Sequence, residues 1–236
     1  MKTNKSRLIG LGDSIIKGIV VNRTDNRYQY SLTESTIAEL CSKELSIPSK
    51  SYGKVACTIS EGSDMLNLHI KELQPGDIVI LEYGGNDSNY RWKEIALNPK
   101  ATHEPVTPLS TFANTYRDII KRIMYTGAMP VVLSLPPIDG ERYFTWLGAD
   151  MSEAEKANIH TWLEGTTTNI NNGHELYNLG TMQIAHQMLV PWIDITSVFL
   201  MQRNYRDYLC EDGLHPNEKG QKLIAKAIIK RLKYAV

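Results

Sequence analysis

The sequence predicts an α/β fold in which a parallel sheet is covered by helices on both faces. Short apolar runs alternate with amphipathic stretches along the chain, which is the pattern of strand–helix–strand units joined by right-handed crossovers. One run, Asp77 to Tyr83, is almost continuously apolar, as a strand buried on both faces requires. The 236 residues contain no internal repeat and no linker-like tract, so we expect a single domain over residues 1–236.

The first strand is the apolar run Leu8 to Leu11. It stops at Gly12-Asp13-Ser14 and continues into helix-compatible residues, a pattern typical of a strand, a sharp turn and the first turn of a helix. Ser14 is therefore expected at the N-terminus of a helix, where backbone N–H groups lack intrahelical partners.

Later elements follow from apolar periodicity and from the positions of glycine and proline. Helical spacing predicts helices over Ser31 to Leu45, Ile59 to Leu73, Thr111 to Tyr125, Ser152 into the 160s, Leu176 to Met188 and Pro216 to Tyr234. Apolar runs predict strands over Ser49 to Val55, Asp77 to Tyr83, Pro130 to Leu135 and Val190 to Ile195. Asn171-Asn172-Gly173 is expected to separate two of the helices.

Two long connections leave the predicted sheet at the carboxyl ends of strands, over Asn86 to Thr107 and Pro136 to Asp150. Connections of this length in a compact domain are uncommon and usually functional. In a parallel sheet, ligands bind outside the carboxyl ends of the strands. Ser14, Ala56 and Asn86 all lie at that edge, which is where we expect the functional site.

Charge and cysteine content exclude several classes of function. The chain has 26 basic and 26 acidic residues, so it offers no electrostatic footprint for nucleic acid or for an anionic membrane surface. No apolar run approaches the length of a membrane span, and the run before Gly12 is too short for a signal peptide. Cys41, Cys57 and Cys210 are widely spaced, which favours buried thiols over a disulfide framework or a zinc site. We therefore expect a cytoplasmic protein that acts on a small molecule.

Ser14 is a candidate nucleophile, because at a helix start one residue can supply both a hydroxyl and an N–H that faces negative charge. The alternative is structural. Asp and Ser are preferred helix N-cap residues, so Gly12-Asp13-Ser14 alone indicates a cap as readily as a catalytic site. A hydroxyl at its free pKa is a poor nucleophile, so catalysis also needs a base and a group that orients the base.

The segment Asp212-Gly213-Leu214-His215-Pro216 offers both partners. An Asp and a His three residues apart in one turn can face the same way, and Pro216 suits the start of the last helix. An exposed turn histidine is the alternative explanation. The other histidines have no Asp in a comparable turn, and we leave them with that explanation; they are His69, His103, His160, His174 and His186.

Asn86 follows two glycines at the end of a strand, where its side-chain amide can donate a hydrogen bond to a developing oxyanion. The backbone N–H of Ala56, which follows another strand, can do the same. A simple turn is the alternative explanation of Asn86-Asp87. We prefer the active-site interpretation, because three separate signals arrive at one edge of the sheet.

Together these segments resemble the signature blocks of the GDSL, or SGNH, hydrolase superfamily. The blocks are Gly12-Asp13-Ser14-Ile15, Gly85-Asn86-Asp87 and Asp212-x-x-His215-Pro216, in matching order and spacing over essentially the whole chain. The resemblance implies a three-layer, flavodoxin-like α/β/α sandwich with about five parallel strands. It also implies a serine esterase without metal or cofactor, with Ser14 as nucleophile, His215 as base and Asp212 as orienter. The Ser14 N–H and the Asn86 side chain would form the oxyanion hole.

One block departs from the family pattern. Where the family usually has a glycine that supplies an oxyanion N–H, the segment Ser51 to Thr58 places Ala56, with Gly53 three residues earlier. Alanine retains the N–H, so Ala56 keeps the oxyanion role only if its backbone avoids positive φ.

Aromatic residues on the two long connections indicate the kind of substrate. They are Tyr90, Trp92, Tyr143, Phe144 and Trp146. Packing of the connections onto the domain is the alternative explanation for each one. As a group beside polar side chains, they favour a narrow acyl site and a sugar or other polar alcohol. We expect a short-acyl esterase whose small-molecule ester substrate, such as an acetylated carbohydrate, contacts Asn89, Trp92, Tyr143 and Trp146.

Other functions stay open at this point, as does the oligomeric state. A lysophospholipase or thioesterase would use the same nucleophile on other acyl groups. A metal-dependent phosphoesterase also places Gly-Asp and Gly-Asn segments at strand ends, but it needs an early Asp-x-His pair, which the sequence does not contain. A domain of this kind can also bind a ligand without turnover, because fold does not decide function.

Overall fold

The computed structural model describes residues 6–25 and 27–233, and within them one five-stranded parallel sheet is flanked by helices. The strands are β1 (Leu8–Gly12), β2 (Ile19–Thr24), β3 (Arg27–Leu32), β4 (Ser49–Gly53), β5 (Ile78–Glu82), β6 (Met129–Leu133) and β7 (Trp192–Ile193). The sheet order is β4-β1-β5-β6-β7, while β2 and β3 form a separate antiparallel hairpin. The predicted three-layer, flavodoxin-like sandwich is confirmed.

Ten helices accompany these strands in the described part of the chain. They are α1 (Ser14–Lys17), α2 (Ile37–Leu45), α3 (Ile59–His69), α4 (Trp92–Leu97), α5 (Leu109–Tyr125), α6 (Gly140–Leu147), α7 (Glu153–Trp162), α8 (Thr168–Met188), α9 (Ile195–Leu200) and α10 (Glu218–Lys233). Short 3-10 turns lie at 70–72, 148–150 and 205–208. Within the described residues, no helix is both long and apolar enough to cross a membrane.

Alternation along the strands sends side chains into two separate cores. In β1, Ile9 and Leu11 pack on the face that α3, α5 and α8 cover. Leu8 packs on the opposite face, which α2, α9 and α10 cover. Because helices cover both faces of the sheet and exclude water, the central strands are apolar on both faces, as the sequence of β5 shows. The carboxyl ends of the strands are thereby held at one edge by a rigid frame.

A third apolar cluster forms what we call the cap, which consists of α4, α6 and α7. It contains Trp92 from α4, Tyr143 from α6 and Ile159 from α7, together with Ile170 near the start of α8. Two of its helices, α4 and α6, come from the connections that the sequence marks as long loops, and α7 follows the second connection. Those predictions were wrong in detail, because α4 lies inside the first connection and α6 inside the second.

Two further sequence predictions are corrected by the structure. The helix predicted from Ser31 begins only at Ile37, because Ser31 and Leu32 pair with β2 as the end of β3 and Thr36 caps the helix. The Asn171-Asn172-Gly173 segment does not interrupt a helix but lies within α8. There the side chain of Asn171 donates to the carbonyl of Ile138 at 2.9 Å, so a tertiary contact stabilises helix where local propensity disfavours it.

The remaining elements differ from prediction by a few residues at their ends. The last strand is shorter than predicted, at Trp192–Ile193, and the last helix begins at Glu218 rather than Pro216. Tyr234, the predicted end of that helix, lies outside the described residues. All three cysteines are free and buried, as predicted.

Candidate active site

Ser14 stands where β1 turns directly into α1. Gly12 permits this turn, because a Cβ on it would lie 2.4 Å from Cγ1 of Ile16 and 2.7 Å from the carbonyl oxygen of Glu82. Asp13 caps the helix, with its Oδ1 accepting from the N–H of Ile15 at 2.8 Å. Ser14 is the first residue of α1, so its own N–H has no intrahelical partner.

The turn before α10 carries Asp212 and His215. Asp212 is fully buried, and its Oδ1 accepts from the N–H groups of Leu214 at 3.0 Å and His215 at 3.1 Å. Gly213 has φ +72, and a Cβ there would lie 2.6 Å from the carbonyl oxygen of Asp139. The turn is therefore closed on itself and pressed against a neighbouring segment, which fixes the direction of the His215 ring.

The structure brings Ser14, His215 and Asp212 into one hydrogen-bonded chain. Nδ1 of His215 lies 2.5 Å from Oδ2 of Asp212, and Nε2 of His215 lies 2.9 Å from Oγ of Ser14. A carboxylate can only accept, so Nδ1 carries the proton and Nε2 is free to accept from the Ser14 hydroxyl. The arrangement can remove a proton from Ser14 and return it to a leaving group.

Asn86 lies beside Asp13 after the end of β5. Its Nδ2 donates to Oδ2 of Asp13 at 2.8 Å and to the carbonyl oxygen of Cys57 at 3.3 Å. Asn86 also lines the same cavity as Ser14. The longer bond to a neutral carbonyl is the weaker of the two, so it is the bond that a negatively charged acceptor would displace.

A second carboxyl, Glu82, lies beneath this group, fully buried at the end of β5. Burial raises the pKa of Asp13, and burial together with the charge of Asp13 raises the pKa of Glu82 well above its ordinary value. Neither carboxyl oxygen of Glu82 has a well-formed hydrogen bond among the described residues, and burial outweighs the backbone of Asp13, which lowers the pKa of Glu82. Glu82 is therefore the protonated member of the pair, and Asp13 is the carboxylate that accepts from Asn86.

Asp87 joins the segment after β5 to the start of α3. Its carboxyl oxygens accept from the N–H of Ile59 at 3.0 and 3.1 Å. Burial raises the pKa of Asp87 to about 6. Neighbouring residues thus have separate tasks, since Asn86 faces the cavity while Asp87 holds the turn in place.

Ala56 does not satisfy the condition that the sequence sets for an oxyanion donor. Its φ is +55, in the left-handed region that favours glycine, and it does not belong to the lining of the cavity that contains Ser14. We therefore leave Ala56 out of the proposed oxyanion hole. What this segment contributes to Asn86 is instead the carbonyl of Cys57.

A cavity of about 430 Å³ opens between the strand ends and the cap. Ser14 and His215 lie on its wall, and so do three of the predicted substrate contacts, Asn89, Trp92 and Tyr143. Hydrogen bonds join these three side chains. Nε1 of Trp92 donates to Oδ1 of Asn89 at 2.6 Å, and the Tyr143 hydroxyl donates to the same oxygen at 2.8 Å. The aromatic wall is therefore rigid before any ligand binds.

The fourth predicted contact, Trp146, does not line the cavity. Its ring stacks on Tyr143 with centroids 5.5 Å apart, and its Nε1 donates to the hydroxyl of Tyr30 at 3.0 Å. Direct contact between Trp146 and substrate is accordingly not retained. Trp146 instead joins the cap to the β2–β3 hairpin, an element that the sequence analysis did not predict.

Several residues of the cavity wall were missed by sequence reasoning, among them Glu82 and His174. For Glu82 there was a signal, since an acid interrupts the otherwise apolar Asp77 to Tyr83 run. For His174 there was none, because its surroundings come from segments distant in sequence. Among the described residues, no three His, Cys, Asp or Glu side chains are grouped so that they could hold a metal ion.

The sequence model of the GDSL-like Lipase/Acylhydrolase family matches residues 11–223 of the chain. That stretch includes β1 to β7 apart from the first residues of β1, and it contains Ser14, Asn86, Asp212 and His215. A search of curated proteins found no significant match.

Solved structures with the same fold match nearly the full chain at low sequence identity. A lipase/acylhydrolase from Enterococcus faecalis is 16% identical, with 98% of this chain and 96% of that chain covered and a TM-score of 0.64. A carbohydrate acetylesterase from Sinorhizobium meliloti is 16% identical, with 98% and 100% covered and a TM-score of 0.65. An acetylxylan esterase from Geobacillus stearothermophilus is 16% identical, with 98% and 95% covered and a TM-score of 0.61.

Proposed function

The chain belongs to the GDSL-like lipase/acylhydrolase family, and from that premise we propose that it is a serine esterase that hydrolyses carboxylic esters through an acyl-enzyme intermediate. The observation that carries the proposal is the contact between Oγ of Ser14 and Nε2 of His215 at 2.9 Å. It is supported by buried Asp212, which holds the other ring nitrogen at 2.5 Å.

In the first half-reaction, Ser14 attacks the ester carbonyl while Nε2 of His215 takes its proton. The imidazolium that forms is stabilised by Asp212, and it then donates the proton to the departing alcohol oxygen. The C–O bond to the alcohol breaks and an acyl-Ser14 ester remains. Water, deprotonated by His215, attacks that ester, and the proton returns to Oγ of Ser14 as the acid leaves.

Negative charge on the carbonyl oxygen is stabilised by the N–H of Ser14 and by Nδ2 of Asn86. Asn86 is held by its bond to Asp13, and it exchanges its bond to the Cys57 carbonyl for one to the oxyanion. A bond to a charged acceptor is stronger than one to a neutral carbonyl. The exchange therefore favours the tetrahedral intermediate over the bound ester.

The proposed substrates are esters of short acyl groups, with an alcohol portion that has polar groups. Two of the structurally similar proteins are a carbohydrate acetylesterase and an acetylxylan esterase, which supports this class. The cavity supports it as well, because rigid aromatic rings are accompanied there by polar side chains, including Asn89, Asn169 and Asn172.

Replacing the nucleophile tests the mechanism. We expect Ser14→Ala to lower kcat on a chromogenic acetate ester by at least about 10³-fold, because no hydroxyl remains to attack. His215→Ala should be as damaging, and Asp212→Ala less so. Steady-state kinetics gives the rates, and thermal denaturation checks that each variant is folded.

A Ser14→Ala enzyme that retains activity close to wild type would overturn the assignment of the nucleophile. Labelling by a serine-reactive phosphonate provides an independent measurement, since only an activated serine reacts. Mass spectrometry of the labelled wild type should place the adduct on Ser14, and the His215→Ala variant should label far more slowly.

Acyl-chain preference tests the substrate class. Because the cap encloses the cavity above Ser14, we expect kcat/KM to be highest for acetyl to butyryl esters and to fall for longer chains. A series of nitrophenyl esters of increasing chain length measures this. If chains of ten or more carbons are preferred, the cavity accepts a long acyl group, and a lysophospholipase-type activity replaces the short-acyl proposal.

A further inference from the structure

His174 lies in α8, and its imidazole forms part of the wall of the cavity that contains Ser14. The side chain is more than nine-tenths buried, with 7% of its surface exposed. A Cβ built on Gly85 would lie 3.9 Å from Cε1 of His174 and 3.8 Å from Oδ2 of Asp13. The ring is therefore close to the oxyanion side of the site, although it belongs to neither the nucleophile nor its base.

One bond fixes which ring nitrogen carries the proton. Nε2 of His174 lies 3.0 Å from the carbonyl oxygen of Pro136, which can only accept a hydrogen bond. Nε2 is therefore the protonated nitrogen. Burial lowers the pKa of His174 to about 4, so the ring is neutral at physiological pH. Nδ1 consequently has a free lone pair.

That lone pair has no hydrogen-bond donor among the described residues. Nδ1 is not among the fully buried polar atoms that lack a hydrogen-bond partner, so it is not enclosed inside the protein. Because the ring lines the cavity, Nδ1 is accessible from there. An acceptor that faces such a cavity is satisfied by water. A ligand that displaces this water must bring its own donor.

We propose that Nδ1 of His174 accepts a hydrogen bond from a hydroxyl group of the substrate, so that the cavity selects esters that carry a free hydroxyl over isosteric alkyl esters. This inference rests on the proposed esterase function and specifies the substrate class of the same site. The hydroxyl can belong to the alcohol portion, as in a polyol or sugar ester, or to the acyl portion, as in a hydroxy acid ester.

Two substitutions test the acceptor Nδ1 of His174 separately from the hydrogen bond between Nε2 and the carbonyl of Pro136. His174→Gln can keep a donor near the position of Nε2, and thus the bond to Pro136, but has no acceptor at the position of Nδ1. His174→Asn places its Oδ1 near the position of Nδ1 and loses the Pro136 bond. His186→Gln, on the exposed part of the same helix, is the matched control for the substitution itself.

Matched substrates separate the two sources of the hydroxyl. In one arm, hydroxyethyl, hydroxypropyl and hydroxybutyl acetates are compared with propyl, butyl and pentyl acetates, so that each pair differs by hydroxyl against methyl. In the other arm, ethyl esters of hydroxy acids are compared with the ethyl esters of the isosteric alkanoic acids. Acid release in a pH-stat gives kcat and KM for each ester.

In the wild type, we expect at least one hydroxylated ester to exceed its alkyl isostere in kcat/KM by about tenfold, mainly through KM. His174→Gln should abolish this preference, His174→Asn should retain most of it, and His186→Gln should leave it intact. The arm in which the preference occurs identifies the portion of the substrate that carries the hydroxyl.

Equal preference ratios in the wild type and His174→Gln overturn the inference, while hydrolysis of simple acetates leaves the esterase function standing. Binding provides a readout that does not need turnover. Ser14→Ala with isotope-labelled histidine should show a nitrogen chemical-shift change at Nδ1 of His174 on adding a hydroxyalkyl acetate, but not on adding the alkyl isostere. No such change, or the same change with both esters, overturns the inference even if the wild type hydrolyses no ester.

Discussion

Asp13 shows how much of the site depends on one short side chain. Its two carboxyl oxygens accept from the N–H of Ile15 and from the amide of Asn86. The first bond positions the helix that starts with Ser14, and the second positions the side-chain amide of Asn86. The proposed nucleophile and the proposed oxyanion donor, 72 residues apart in sequence, are thus both held by one carboxylate, whose bond to Asn86 spans 73 residues.

The protonated state of Glu82 has a measurable consequence for stability. A carboxyl whose pKa is raised on folding keeps its proton in the folded state above pH 4.5, its ordinary value, while the unfolded chain releases it. Stability is then lost as pH rises above 4.5. We expect Glu82→Gln to gain stability relative to wild type over this range, by up to about 1.4 kcal/mol per pH unit. Urea denaturation at several pH values measures the difference.

An exposed acid provides the opposite control. Glu72 forms side-chain hydrogen bonds with Lys50, His69 and Tyr52, which lower its pKa to about 2. Glu72→Gln should therefore lose stability relative to wild type as pH rises through the range below 4.5. A Glu82→Gln variant whose difference from wild type does not change with pH would show that Glu82 is ionised in the folded protein.

At the scale of an element, the turn between β4 and α3 is strained at Ala56. An L-residue in the left-handed region at φ +55 has its Cβ close to the following carbonyl, a cost that glycine avoids. Glycine in turn loses more backbone entropy on folding. We expect Ala56→Gly to stabilise the protein by about 0.5 kcal/mol as the balance of these two effects, measured by urea denaturation.

Val55→Gly is the matched control in the same turn. Val55 does not have a positive φ, so glycine brings the entropic cost without any relief of strain and also removes a half-exposed side chain, and it should destabilise by at least about 0.5–1 kcal/mol. Equal destabilisation by both substitutions would contradict the idea that Ala56 is strained.

Elements with a clear apolar pattern in their own sequence were predictable, whereas elements stabilised mainly by tertiary contacts with other segments were not. β1 and β5 are apolar on both faces, so their sequences identify them without reference to the rest of the chain. The cap helices α4 and α6 are short and depend on one another for burial, and thus their sequences look like loops. The second strand of the hairpin is exposed and mostly polar, so it lacks a clear strand pattern, and its last two residues, Ser31 and Leu32, were placed in the predicted helix.

The site was predictable to the extent that its residues form local motifs. Ser14, Asn86, Asp212 and His215 were identified because each lies in a short pattern with a chemical meaning. His174 was missed because its tautomer depends on Pro136, 38 residues away. The bonds that hold Asn86 in place were also invisible, since Asp13 looked like a helix cap only.

At the scale of the whole molecule, buried ionisable groups act in opposite directions as pH falls. His174 stays neutral down to a pKa of about 4, while an unfolded histidine takes up a proton near 6.5. Acidification between these values therefore favours unfolding. Asp87, whose pKa is raised to about 6 from an ordinary 3.8, opposes this, because its folded form binds a proton first. The two contributions partly cancel between pH 4 and 6.

Replacing His174 tests how its contribution to stability balances that of Asp87. We expect His174→Gln to gain stability relative to wild type as pH falls from 6.5 to 4, by up to about 3 kcal/mol, since only the wild type contains a group that must stay unprotonated to fold. Denaturant midpoints across this range measure the gain. A parallel pH dependence of the wild type and His174→Gln would contradict it, and exposed His186→Gln is expected to follow the wild type.

The contact between Ser14 and His215 also has a consequence for how the protein folds. The two residues are 201 positions apart, and β1 lies between β4 and β5, both of which follow it in the chain. Contacts of such long range form late, because closing long loops costs entropy before it is repaid by packing. The proposed nucleophile therefore lies on a strand whose two neighbours follow it in the chain, and its proposed base reaches it only when the turn at 212–215 docks. The proposed hydrolysis needs this tertiary contact, so we expect the recovery of esterase activity during refolding to report when the contact forms.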